Sequence, residues 1–244
     1  MTRPTLRQEV ADWWRFLRRP TLAGRLGPRQ GGAMADWRLN IRPGCLLAWA
    51  GLLWLINLVV LGPIAVGAAT LGGAQHRMDP DNIPWLTAVI WAPLVEELLF
   101  RYGLRRPVQA LWVVPAILPA VLWGPKFWTG CITAAVILLA IHGTRRMAGF
   151  KRAPRRFYHR HFGLVFHLAA LTFAAVHLSN FSFNRMPWWM LPLLVLPQWL
   201  TGLVLGWMRV RRGIAASIAL HALFNAGPMV MIWLLLKLVP DMTL

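Results

Sequence analysis

Long apolar runs, separated by short clusters of charge, constrain the fold of this chain more than any other feature. An α-helix needs about 20 apolar residues to cross the hydrocarbon of a bilayer. We predict that seven such runs form spans at residues 45–71, 84–104, 107–124, 127–142, 162–181, 188–208 and 214–238. The third and fourth runs are short, and an alternative is that they form one broken or re-entrant hairpin.

The composition supports a membrane protein. Charged residues make up 14% of the 244 residues and the mean hydropathy is +0.51, whereas about 25% of an ordinary soluble domain is charged. Lipid can face apolar side chains directly, provided that the backbone is hydrogen-bonded within helices or a closed barrel. We therefore predict an all-α membrane bundle of seven transmembrane helices.

The distribution of basic residues predicts the orientation of this bundle. The chain has 26 Lys and Arg, and 22 of them lie in four segments that face one side of the membrane: 1–43, 101–107, 143–161 and 209–213. Cytoplasmic segments are enriched in Lys and Arg, so the split favours a cytoplasmic N-terminus and an external C-terminus. The net charge of +18 thus needs no nucleic acid, and no nucleic-acid-binding module is visible.

The basic N-terminal tail, residues 1–43, is treated apart from the membrane domain, residues 44–244. Val10, Trp13, Trp14 and Leu17 recur at the spacing of one helical face, which is typical of a helix lying on an anionic membrane surface. Thr5 and Gln8 could cap this helix. The alternative is a disordered basic tail.

Two adjacent acids inside the second predicted span indicate a functional site. The other six acids lie in the tail, the first outer loop or the C-terminus, but Glu96 and Glu97 follow Pro93 within an apolar run. A charge at mid-bilayer costs about 2.5–3.5 kcal/mol on insertion scales. Arg101, one turn after Glu97, can neutralise one acid and leaves Glu96 free to face the bundle interior.

Two further polar pairs lie inside predicted spans. Phe173 and His177 share a helical face, as do His221 and Asn225. A carboxylate and an imidazole can deprotonate a water, and a second imidazole with an amide can stabilise an oxyanion. The same groups could instead bind a metal through Glu96, His177 and His221. The sequence contains no His-Glu-x-x-His motif, no Gly-x-Ser-x-Gly motif and no paired membrane aspartates.

These motifs together resemble the CPBP family of intramembrane proteases, the group of CAAX prenyl endopeptidases and bacteriocin-processing proteins. The family signature is Glu-Glu-x-x-x-Arg, then Phe-x-x-x-His, then His-x-x-x-Asn. Here the three motifs run from Glu96 to Arg101, from Phe173 to His177 and from His221 to Asn225. The resemblance covers residues 84–238 and leaves the basic tail outside.

The resemblance implies an intramembrane endopeptidase with a catalytic cavity open to water. Glu96 would be the catalytic carboxylate and His177 its partner on the water, while His221 and Asn225 would steady the oxyanion. The supporting residues would be Glu97, Arg101 and Phe173.

Members of the family are often named metalloproteases, and Glu96, His177 and His221 would then be the candidate ligands of a divalent metal such as Zn. We favour water activation without a metal, because no two of these ligands lie one turn apart on one helix, as the histidines of zinc proteases do.

The expected partners are a peptide or protein substrate and the lipid bilayer, with no nucleic acid, and the expected location is a bacterial inner membrane. Two other functions stay open. One is a catalytically silent adaptor or bacteriocin-immunity protein on the same scaffold. The other is a small transporter that uses the buried acids as a proton relay, although no inverted repeat is visible in the sequence.

Overall fold

The computed structural model describes residues 4–22, 24–26, 32–79, 82–142, 152–183 and 186–238, and this part of the chain is almost entirely helical. The predicted all-α class is confirmed, apart from one antiparallel pair of three-residue strands, β1 Ala74–His76 and β2 Phe181–Phe183. The α-helices are α1 Leu6–Arg18, α2 Gly32–Asp36, α3 Pro43–Ile56, α4 Gly62–Gly72, α5 Ala92–Glu96, α6 Pro107–Trp123, α7 Phe127–His142, α8 Arg152–Arg160, α9 Phe162–Val176, α10 Leu191–Leu194, α11 Leu196–Arg212 and α12 Ile214–Leu238.

Short π and 3₁₀ segments adjoin several of these helices. A π segment, Asn57–Leu61, connects α3 to α4, and two more, Leu86–Trp91 and Glu97–Arg101, flank α5. The 3₁₀ segments are Tyr102–Leu104, His177–Asn180 and Trp188–Met190. Single π turns inside α-helices occur often at functional sites, and the pair around α5 encloses the two adjacent acids.

Three helical stretches of the described chain are long and apolar enough to cross a membrane, namely Pro43–Gly72, Phe162–Asn180 and Ile214–Leu238. A fourth crossing is available if Trp188–Leu194 and Leu196–Arg212, which meet at an angle of 51°, form one broken span. Pro107–Trp123 and Phe127–His142 are apolar but shorter, and the predicted span 84–104 is divided among several helical segments. An integral membrane protein is therefore supported, and the count of seven spans stays a prediction. Residues 143–151 and Arg185, which the topology prediction used, lie outside the described residues.

Helix α11 is the centre of the bundle, because almost every residue from Thr201 to Val210 is buried. Two glycines one turn apart let α9 approach it closely. A Cβ at Gly202 would lie 3.1 Å from the Phe173 ring, and one at Gly206 would lie 2.7 Å from the Phe166 ring. Small residues with this spacing allow close packing of helices in membranes, and here they bring α9 and its motif residues against α11.

The N-terminal segment packs on the bundle rather than apart from it. Helix α1 begins after Thr5 with the capping box formed by Thr5 and Gln8, and its apolar side chains Val10, Trp13 and Leu17 contact the core. Trp13 meets Trp49 edge-on at 6.3 Å. The protein therefore covers most of the face that was expected to meet lipid, and of the four residues that defined this face, Trp14 alone is exposed.

Three acids of this segment pair with the three arginines at the end of α11. Glu9 binds Arg212 and also accepts a hydrogen bond from the indole of Trp49 at 2.8 Å. Asp12 binds Arg211 at 3.0 Å.

The third acid, Asp36, binds Arg209 at 3.4 Å and two further arginines, Arg25 at 2.5 Å and Arg106 at 3.2 Å. Beside it, Gly213 separates α11 from α12 with φ of +109°, and a side chain there would lie 2.9 Å from the Asp36 carbonyl. The N-terminal segment thus fixes the end of α11 and the start of α12.

Candidate active site

The two adjacent acids lie where α5 ends and a π segment begins. Glu96 is the last residue of α5 and Glu97 the first residue of the segment Glu97–Arg101. Glu97 is fully buried, whereas Glu96 is 19% exposed. Neighbours on a helix point about 100° apart, so one carboxylate is directed into the protein and the other into a cavity.

Glu97 is the hub of a buried hydrogen-bond network. Its Oε1 accepts a hydrogen bond from Nη1 of Arg101 at 2.6 Å, which confirms the ion pair predicted from their spacing. Its Oε2 accepts one from Oγ of Ser217 at 2.5 Å. The Nδ1 of His221 lies 3.0 Å from Oε1. With three partners, Glu97 orients His221 and is not free to act on a substrate.

Phe173 and His221 line the cavity, whereas Glu97 and Arg101 lie behind them. The Arg101 guanidinium carbon lies 3.7 Å from the centre of the Phe173 ring, within cation–π distance. The same ring meets His177 at 4.5 Å and His221 at 5.8 Å between centroids. Both histidines are therefore positioned by one buried phenylalanine, which makes it a positioning residue.

His177 begins the 3₁₀ segment that follows α9. Its Nδ1 lies 2.8 Å from the carbonyl oxygen of Phe173. A carbonyl can only accept, so Nδ1 carries the proton and Nε2 is the acceptor in the neutral ring. The ring therefore presents a basic nitrogen on its free side.

Asn225 bonds to a backbone carbonyl that is free because of Pro93, which precedes the first motif. The N–H of Ala92 bonds to the Thr87 carbonyl, five residues back. The same register would pair Pro93 with the carbonyl of Ala88, but proline has no N–H to donate. Nδ2 of Asn225 donates to that carbonyl at 2.8 Å instead. One hydrogen of the Asn225 amide is thus used structurally, and the other is available.

A cavity of about 620 Å³ brings the predicted catalytic residues together. Its wall contains Glu96, His177, His221 and Asn225. Oε2 of Glu96 lies 3.8 Å from Nε2 of His221 and has no hydrogen-bond partner within the described part of the chain. Polar atoms buried in proteins nearly always have a partner, so this oxygen, which belongs to a residue of the cavity wall, still lacks the donor that such an atom requires.

The side chains present do not form a complete metal site. Among the described residues no group of three His, Cys, Asp or Glu side chains is arranged to hold a metal ion. His221 and Glu96 approach each other, but His177 does not join them as a third ligand in this arrangement. We therefore derive no chemical step through a metal.

Ser217 and Gln198 are two of the polar residues of the site that escaped the sequence analysis. Ser217 lies one turn before His221 on α12, and this spacing could have identified it as a residue of the same face. Gln198 lines the cavity from the first turn of α11, and its Oε1 is buried without a partner in the described chain. A glutamine in a run that is otherwise apolar was the available sequence signal for it.

Comparison with known proteins supports one family. A family model described as type II CAAX prenyl endopeptidase Rce1-like matches residues 80–227. The matched range contains Glu96, His177, His221 and Asn225 and excludes the N-terminal segment. No curated protein and no solved structure matches the chain significantly.

Proposed function

Because the chain belongs to the type II CAAX prenyl endopeptidase Rce1-like family, we propose that it is an intramembrane endopeptidase in which Glu96 and His177 activate water. The observation that carries the proposal is the unpartnered Oε2 of Glu96 on the wall of the cavity. Glu97 is saturated by Arg101, Ser217 and His221, so Glu96 is the carboxylate with an oxygen left for a reactant.

In the first step a water is held between Glu96 and His177. The carboxylate of Glu96 accepts a proton from the water, and Nε2 of His177 accepts a hydrogen bond from its second O–H. The resulting hydroxide oxygen attacks the carbonyl carbon of the scissile peptide bond. General bases placed in this way contribute about 10²–10⁴-fold to a rate.

The developing oxyanion requires donors, which His221 and Asn225 would supply. Nδ1 of His221 faces the Glu97 carboxylate, so a protonated ring would donate from Nε2 into the cavity. The free hydrogen of the Asn225 amide provides a second donor. Donors that are fixed before the reaction stabilise a transition state by about 2.7–4 kcal/mol each in measured cases.

In the last step the carbon–nitrogen bond breaks. Glu96 returns the proton to the leaving amine, and the other product is a carboxylic acid. One water is consumed and no other reactant is needed. Glu97 and Arg101 remain paired behind Phe173 throughout and exchange no proton with the substrate.

The proposal includes the location of the protein and its orientation in the membrane. We propose a bacterial inner-membrane location with a cytoplasmic N-terminus, because 22 of the 26 basic residues lie in the segments that would face inside. The substrate would be a peptide or protein that reaches the cavity from within or beside the bilayer. Labelling of a single cysteine introduced at position 152 from outside the cell would contradict this orientation.

Comparison of peptide termini in membranes tests the activity. Cells would carry the wild-type protein, Glu96→Gln or His177→Ala, and new termini would be catalogued in each case. We expect a set of termini that requires the wild-type protein and disappears in both variants. Termini that persist with folded Glu96→Gln would contradict the proposal and favour a scaffold that acts by binding.

His167→Ala is the matched control. His167 lies on α9 like His177 and is half-buried, but its ring contacts the carbonyl of Leu17 at 3.3 Å and does not line the cavity. Its substitution should leave the termini unchanged. Equal amounts of each variant in the membrane, and equal elution in size exclusion, would show that folding is not the cause of a loss.

A further inference from the structure

Helix α1 has two faces of opposite chemistry. Its two acids, Glu9 and Asp12, face the bundle and are paired with α11. Its outer face carries three arginines and a tryptophan that is 52% exposed. These four exposed residues are Arg7, Trp14, Arg15 and Arg18. Because both acids point inward, no carboxylate of this helix offsets the charge of the outer face.

Helix α8 also has a polar side chain that faces the bundle and an outer face with basic and aromatic residues. Tyr158 is its inward anchor, and its hydroxyl donates to the carbonyl oxygens of Gly103 at 3.2 Å and Leu104 at 3.1 Å. The helix contains no acidic residue. Phe157 is 67% exposed, and exposed arginines surround it at positions 155, 156 and 160.

Both helices meet at the start of α9. Phe162, the first residue of α9, contacts Phe16 of α1 at 6.5 Å and Tyr158 of α8 at 5.9 Å between ring centroids. Because α9 begins a stretch that can cross the membrane, its first residue marks the level where hydrocarbon gives way to headgroups. The two basic faces therefore flank one span at headgroup depth.

We infer that the outer faces of α1 and α8 together form a binding surface for anionic lipid headgroups. Arginine donates to phosphate oxygens in bidentate fashion, and tryptophan and phenylalanine beside it can sit at the boundary of the acyl chains. Without lipid, the exposed rings of Trp14 and Phe157 gain only contacts with near neighbours in the sequence, such as Arg18 over Trp14 and His161 beside Phe157. The charge and the aromatic rings are both accounted for by a lipid surface.

Retention of lipid by the purified full-length protein tests this inference. The protein would be placed in nanodiscs of phosphatidylcholine mixed with phosphatidylglycerol, and the lipids that remain bound would be counted by native mass spectrometry. We expect the wild-type protein to retain phosphatidylglycerol in preference to phosphatidylcholine. Each basic residue near an anionic surface contributes about five-fold to binding.

Two double variants remove charge from one helix each. Arg15→Gln with Arg18→Gln acts on α1, and Arg155→Gln with Arg156→Gln acts on α8. Each should lower the preference by about five-fold for every charge removed. On α1, Arg18 stacks on Trp14 at 5.0 Å and Arg15 binds the carbonyl of Ala11 within its own helix. On α8, Arg155 and Arg156 are both exposed.

The control is Lys126→Gln with Lys237→Gln, which removes two exposed charges from the predicted outer side. It should lower the preference less than either arginine pair does, because neither lysine lies beside a second basic residue in the sequence. An unchanged preference in both test variants would overturn the inference, and so would a loss that is confined to one helix or an equal loss in the control. Equal unfolding midpoints in phosphatidylcholine alone would show that all variants are folded, and catalytic activity is not needed for any readout.

Discussion

The guanidinium carbon of Arg101 lies 3.7 Å from the centre of the Phe173 ring, so the first residue of the second motif covers the last residue of the first. The contact explains why a phenylalanine and an arginine, which are 72 positions apart in the sequence (173 − 101), belong to one site. It also seals the Glu97–Arg101 pair from the cavity. A desolvated contact of this kind is worth about 2 kcal/mol.

Substitution of both partners should reveal this coupling. Phe173→Leu and Arg101→Met each destabilise the protein, but the double variant should lose less than the sum by about 1–2 kcal/mol, because the contact is lost only once. Denaturant unfolding in detergent micelles measures the free energies. The matched control is Phe166→Leu combined with Arg101→Met. Phe166 is a buried phenylalanine of the same helix, but it packs on Gly206. Strict additivity of Phe173→Leu with Arg101→Met would show that the stacking contributes nothing.

The contacts within single motifs were predictable because they are local. Glu97 and Arg101 are one turn apart on a helix, and a buried acid in a bilayer needs a nearby cation. That reasoning identified the ion pair and left Glu96 as the free carboxylate. The bond from Ser217 to Glu97 was not predictable, because it joins residues 120 positions apart and depends on how α12 packs along the π segment.

The inward-facing acids of α1 show a different reason for failure. Glu9, Asp12 and Phe16 have helical spacing on the buried face, so their orientation could be read from the sequence. Their partners could not, because the pattern of an amphipathic helix is the same whether its buried face meets lipid or protein. Here the buried face meets protein because Asp12 pairs with Arg211 and Glu9 pairs with Arg212 at the end of α11. These partners are far apart in the sequence.

A rescue experiment separates two roles of Asn225. Asn225→Ala leaves the carbonyl of Ala88 without its donor and should cost about 0.5–1.5 kcal/mol, the net contribution of a typical hydrogen bond, because this bond is only partly buried. Pro93→Ala restores a backbone N–H in the register that reaches Ala88. The double variant should therefore recover stability relative to Asn225→Ala, measured by the unfolding midpoint.

Activity should not recover in the same double variant if Asn225 also donates to the oxyanion. The termini assay, or cleavage of a substrate that it identifies, provides this readout. Full recovery of both stability and activity would show that Asn225 only satisfies the Ala88 carbonyl. Pro93→Ala alone is the control for any effect of the new residue on the helix.

Metal analysis is expected to find activity without a bound metal. Glu96 and His221 approach each other, but the described residues contain no three-ligand group, and water activation by Glu96 and His177 needs no Lewis acid. Dialysis of active protein against a chelator should leave its activity unchanged. Stoichiometric zinc in the purified protein, with activity lost on removal and regained on return, would contradict this expectation.

Asp36 should make the stability of the protein depend on pH in the acid range. Burial disfavours its ionised form, but Arg209, Arg25 and Arg106 outweigh burial and hold the pKa below the ordinary value of 3.8. A carboxyl with a lowered pKa in the folded state contributes stability that is full above its unfolded pKa. The contribution is lost as the pH falls through the folded pKa, where protonation breaks the three ion pairs.

Asp36→Asn should therefore destabilise the protein at neutral pH by about 3–5 kcal/mol, because it leaves the fully buried Arg209 without a counter-charge. The difference between wild type and variant should shrink below about pH 4, where the carboxyl of the unfolded chain begins to take up its proton while the folded protein still keeps it ionised. Unfolding midpoints measured from neutral pH down to pH 3 give the comparison. Asp12→Asn is the control, since Asp12 is 21% exposed and its ion pair with Arg211 is partly in contact with solvent. A difference between wild type and Asp36→Asn that stays constant down to pH 3 would show that the ion pairs of Asp36 do not stabilise the fold.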